Sequence, residues 1–190
     1  HAGRSLNDGP LFPFQSEGWV SLETNVLRSP LPVDTLIVRR SCLPAPEPFT
    51  SGVRFGADWE MCLRLGARHS IWFMAQIFAA VRVHEHNVMT PLASQQQVDL
   101  KLRDRLGVLD RVFPLFHDDP AVIQSLRARA EAREFAEAAV PSYINGNFDL
   151  ASLRLGRAID LDRQRWQGED LVALICNFAR LIFLRDGETA

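Results

Sequence analysis

Lysine is almost missing from this chain. Of its 21 basic residues 20 are arginine, and Lys101 is the single lysine. The arginines are scattered along helical stretches and balanced by acids, which fits a GC-rich coding sequence better than a phosphate-gripping surface. Charge of one sign is also missing, since the formal net charge is -2. No strong field therefore points toward nucleic acid or an anionic membrane, and no nucleic-acid partner is expected. Cysteine is scarce: Cys42, Cys62 and Cys176 are odd in number and widely spaced. That excludes a disulfide framework and the spacing of a zinc site, and suits reduced thiols. No apolar run reaches the ~18 residues that span a bilayer, and no secretory signal is read. A cytoplasmic protein is expected, at most peripheral to the inner face of the membrane.

What is present is ordinary globular material. Apolar residues make up 47% and charged residues 23%, which argues against disorder. Residues 1–16 read as irregular. Glu17 to Leu27 reads as a short helix stopped by Pro30 and Pro32. Thr35 to Arg39 (TLIVR) reads as a strand. Pro44, Pro46 and Pro48 enforce a loop up to Gly56. Asp58 opens a helix, DWEMCLRLGAR, with Trp59, Cys62, Leu63 and Leu65 at helical spacing. Ile71–Met74 and Ile77–Val83 read as strands.

From about residue 93 the pattern is helical, over 93–113, 120–145, 149–160 and 170–185. Asp118 and Asp119 before Pro120 make a good helix start. Gly146 between Asn145 and Asn147 marks a tight turn. Leu171, Leu174, Ile175, Phe178, Leu181 and Ile182 form one apolar stripe. The expected fold is α+β and mostly α, with a boundary near residue 92. Residues 1–92 carry the few short strands, and 93–190 form an α-helical module. Within it, residues 136–162 resemble a tetratricopeptide-like hairpin. Ala139, Ala151 and Ala158 would allow close packing, with Tyr143 and Leu155 filling between the helices.

Residues 33–90 carry the chemistry. In order they read VDTLIVRRSCL, PFTSGVRFGADWEMCLRLG and IWFMAQIFAAVRVHEHNVMT. This succession resembles the closing section of the family 2 glycosyltransferase catalytic domain, which has the GT-A fold. There a strand ending in paired arginines precedes a glycine-rich loop with a phenylalanine. An acidic pair then opens a helix Asp-Trp-x-x-x-x-Arg-Leu, and a strand ending Tyr-Arg-x-His, with Asn shortly after, closes the section. Arg39 and Arg40, Phe49, Asp58 with Trp59, Arg64 with Leu65, and Arg82, His84 and Asn87 stand at those positions.

The resemblance implies an inverting transfer from a nucleotide-sugar to a glycan or other hydroxyl acceptor. An acceptor hydroxyl is a poor nucleophile until a base takes its proton, and Asp58 would be that base. The bland reading of Asp58 is a helix N-cap. Arg40 and Arg82 would lie on the substrate side, although Arg82 suits better an ion pair that holds the loop carrying Asp58. Trp59 would offer a stacking face to a sugar, or be packed beneath the site. His84 would face the metal or diphosphate side, the cofactor being Mn or Mg. His86, two residues on, would make a generic pair with it.

Three departures stand out. The loop around Phe49 reads PEPFTSG, without the glycines that precede the phenylalanine or the acids that follow it, which removes acceptor contacts expected of that loop. Ala57 occupies the place of the acid that normally precedes Asp58, which removes one acceptor. Only 32 residues precede Val33, with no Asp-x-Asp and no strand–helix–strand succession. The nucleotide-binding half is therefore expected to be missing. The sole Asp-x-Asp, Asp160-Leu161-Asp162, reads as a helix end. A sheet cut from its neighbours would expose strand edges and favour a homo-oligomer. The alternative to an enzyme fragment is a non-catalytic helical interaction module derived from a glycosyltransferase.

Overall fold

The computed structural model describes residues 17–28, 35–43, 47–76 and 94–164. Its elements in chain order are β1 (Gly18–Val20), α1 (Leu22–Arg28), α2 (Ala57–Gly66), β2 (Ile71–Phe73), α3 (Gln95–Val112), α4 (Pro120–Ile144) and α5 (Phe148–Leu161). Short 3-10 turns cover Arg40–Cys42 and Phe113–Leu115. The described part is mostly helical, with a two-stranded antiparallel sheet.

Two local expectations are corrected. Residues 18–20 are a strand, not the start of a helix. Trp19 pairs with Trp72 across the antiparallel ladder, and their rings meet edge to face at 4.9 Å. Such a cross-strand aromatic pair favours the extended state. The helix begins only after Ser21, whose Oγ accepts the Thr24 N–H at 3.1 Å. A serine there satisfies a donor that the first turn leaves orphaned. Thr35–Arg39 is not a strand, and among the described residues it joins no ladder. Leu36 and Val38 instead pack on the Met61, Cys62 and Leu65 face of α2.

The later helices follow their signals. Asp119 Oδ1 accepts the N–H groups of Ala121 and Val122, with Pro120 at the first helical position. Gly146 turns the chain at φ 79° between α4 and α5, a conformation that glycine adopts without steric cost. The α4–α5 hairpin closes on Ala132, Ala136 and Ala158. Ala139 and Ala151 are buried as well. Tyr143 does not fill the gap: it is exposed and meets Phe148 edge to face at 5.0 Å. Asp160 lies in the last turn of α5, where it pairs with Arg163.

The main core joins Val26, Trp59 and Leu63 to Val108, Leu109, Val112, Phe113, Phe116, Leu126 and Ala130. Residues from both sides of position 92 enter this one cluster. One seam of it lies between α1 and α2. There Asn25 Nδ2 donates to Cys62 O at 3.1 Å, and Trp59 Nε1 donates to Asn25 O at 3.1 Å. A Cβ on Gly66 would sit 2.7 Å from that same Nδ2. Gly66→Ala is therefore expected to cost about 1–3 kcal/mol through overpacking, read as a lower denaturation midpoint at unchanged slope. A neutral result would show that Asn25 can move.

Among the described residues no helix is long and apolar enough to cross a membrane.

Candidate functional site

Helix α2 is the element that carries the candidate base. Its N-cap is Gly56, at φ 88° and without a side-chain acceptor. Asp58 is thus inside the first turn and is not the cap. Its Oδ1 accepts the N–H of Trp59 at 2.8 Å, and the residue is half-buried. An acid at this position is favoured by the positive end of the helix.

The loop that leads into α2 is held at three places by side chains. Arg64 Nη1 donates to Glu47 O and Pro48 O at 3.3 and 3.4 Å. Thr50 Oγ1 donates to Glu60 Oε1 at 2.6 Å. Asp104 Oδ2, from α3, accepts the N–H groups of Arg54 and Phe55 at 3.0 and 3.2 Å. Glu60 is itself buried and is gripped by Arg111, whose Nη2 lies 2.8 Å from Oε2. Proline and glycine alone would leave this loop many conformations. The three attachments select one and fix the approach to Asp58.

Trp59 is corrected as a substrate contact. It is 1% exposed, so its ring offers no face to a sugar. The indole instead stacks under the Arg105 guanidinium, 4.1 Å from the ring centroid. Arg105 in turn forms two hydrogen bonds to Glu134, at 2.7 and 3.0 Å. Burial alone would lower the Arg105 pKa, but Glu134, with smaller contributions from Glu137 and Asp58, reverses it and the net direction is up. Arg40 opens the 3-10 turn Arg40–Cys42 and is exposed. Arg82, His84, His86 and Asn87 lie outside the described residues, as do the second apolar run at 77–83 and the stripe at 170–185. Among the described residues no three histidines, cysteines or acids are gathered as a metal site.

One group reports the electrostatics directly. Burial pushes the Cys62 thiol up to about 12 from 9.0, and the Asp58 charge adds to the rise. The thiol therefore stays protonated in the fold and ionises more readily once unfolded. Its contribution to stability is whole below about pH 9 and is lost as pH rises toward 12. At pH 8 we expect Cys62 to resist alkylation in the native protein and to react on unfolding. Ready labelling of Cys62 in the native state would contradict its burial.

A cleft of about 330 Å³ lies elsewhere, lined by Trp19, Ser21, Asn25, Arg68, His69 and Ile71 among others. It adjoins the C-terminal end of α2, whereas Asp58 stands at the N-terminal end, so the two do not form one site. Arg68 follows the last turn of α2, where a cation complements the helix dipole.

Sequence reasoning missed Glu60, Asp104, Arg105, Arg111 and Glu134. Glu60 reads simply as a polar helix position, and its partner Arg111 is 51 residues away. Only its place beside Trp59 on a helix with a buried face hinted at a role. Comparison with known proteins returns no match: no family model, no curated protein and no solved structure is similar to this chain.

Proposed function

We propose that this chain is the acceptor side of an inverting glycosyltransferase of the family 2 type, with Asp58 as the general base. The observation that supports the reading best is the setting of Asp58. It is a half-buried carboxylate in the first turn of α2, held by the Trp59 N–H and approached by a loop tied down at three places. A base must be held within hydrogen-bond reach of the proton it takes. In the reaction Asp58 accepts the proton of the acceptor hydroxyl as that oxygen attacks the anomeric carbon. The nucleoside diphosphate leaves from the opposite face, which inverts the configuration. A divalent cation would neutralise the departing charge in such an enzyme. The candidate ligand His84 lies outside the described residues.

The test begins with the natural full-length protein and a panel of nucleotide-sugars, reading release of nucleoside diphosphate in the presence of Mn or Mg. Absence of release from every donor would overturn the reading. The decisive variant is Asp58→Asn.

A non-catalytic interaction module is the second reading. Ala57 favours it, and so does the exposed group Tyr143, Phe148 and Leu153 on the α4–α5 hairpin. A protein that transfers no sugar would leave this as the better account.

A further inference from the structure

We infer that Asp104 of α3 is a positioning residue for the loop–helix junction that carries Asp58. Three observations converge on one turn of α3. Asp104 Oδ2 accepts two successive backbone N–H groups, from Arg54 and Phe55, at 3.0 and 3.2 Å. Arg105, the next residue, lays its guanidinium on Trp59 at 4.1 Å. The Arg105 side chain also fills the space beside Gly56, where an added Cβ would lie 3.4 Å from its Cγ. Two adjacent residues thus touch the chain at positions 54, 55, 56 and 59, on both sides of Asp58.

The physical need is evident at the helix start. A serine, threonine, aspartate or asparagine at the N-cap would satisfy local donors with its own side chain. Gly56 has none, and its φ of 88° disfavours any replacement. Asp104 does not replace that cap, because the N–H groups it accepts belong to Arg54 and Phe55, ahead of Gly56; it anchors the chain entering the helix from another helix, some 50 residues along the sequence. Its side chain is 10% exposed, and its other oxygen lies 3.9 Å from an exposed Arg103. That distance exceeds a hydrogen bond, so the backbone pair is the better-formed contact. The helical module is then no appended tail: it sets the geometry of the candidate site. The link from this junction to catalysis rests on the reading of Asp58 as the base.

Amide hydrogen exchange tests the positioning without any substrate. In Asp104→Ala, Arg54 and Phe55 should exchange about tenfold faster or more, as for loss of charge-assisted hydrogen bonds. Amides of α4 and α5 should be unchanged. Asp104→Glu should restore part of the protection, and Arg103→Ala should behave as the parent protein. Unchanged exchange at 54 and 55 would overturn the proposal. Uniformly faster exchange over the chain would overturn it too, since Asp104 would then serve global stability only. The two readings fail separately. If Asp58→Asn transfers sugar normally, the base assignment falls, while the exchange pattern still decides whether Asp104 holds the junction.

Discussion

Glu134→Ala is expected to destabilise the protein by about 3–5 kcal/mol. The change leaves the Arg105 guanidinium with a side chain 11% exposed and its bidentate partner gone. Guanidinium cannot shed its proton at ordinary pH, so the buried charge has no escape by neutralisation. Burial pushes the Glu134 carboxyl up, while Arg105 opposes that shift. Two hydrogen bonds from the guanidinium, at 2.7 and 3.0 Å, favour the charged form of the carboxylate against that burial. Arg105 also covers Trp59, so its displacement would disturb the main core. For a chain of this size the loss corresponds to a Tm drop on the order of 10 °C. The double replacement Arg105→Met with Glu134→Leu should recover much of the loss, because apolar substitution of a buried pair is often close to neutral. A single-variant cost below about 1 kcal/mol would show that water reaches the pair and that it resembles a surface bridge.

Asp58→Asn is expected to lower sugar transfer about a hundredfold or more, the usual contribution of a positioned general base. The amide is nearly isosteric, and its oxygen can still accept the Trp59 N–H that Asp58 now accepts at 2.8 Å. What disappears is the negative charge and with it the ability to take a proton. Stability should change by less than about 1 kcal/mol, the range of a helix-dipole interaction at a first turn. The two measurements therefore separate: activity collapses while the denaturation midpoint barely moves. Transfer within a fewfold of the parent protein would sink the assignment. A large loss of stability would show that Asp58 serves the fold first.

Local chemistry determined much of this protein by itself. The starts of α2 and α4, the turn at Gly146, the strand at Ile71 and the small-residue seam of the α4–α5 hairpin all rest on signals within a few residues of each other. Helix starts, prolines and glycine turns act at that range, so they can be read from the chain directly. Asp58 is singled out as a candidate base by the family resemblance, since an acid near the start of a helix reads locally as a cap.

Only the tertiary structure decided the rest. The chain at 18–20 reads as helix until Trp72, 53 residues later, pairs with Trp19. Trp59 reads equally as a sugar platform or a core residue until Arg105 and Asn25 close over it. Thr35–Arg39 has the composition of a strand, yet its alternating apolar residues found the face of α2 instead. Glu60, Asp104 and Glu134 look like solvated acids on helices, and their partners come from other elements. The reason is the same in each case. Burial of a charge or an aromatic ring depends on which distant surfaces meet, and a stretch of sequence carries no local trace of that meeting.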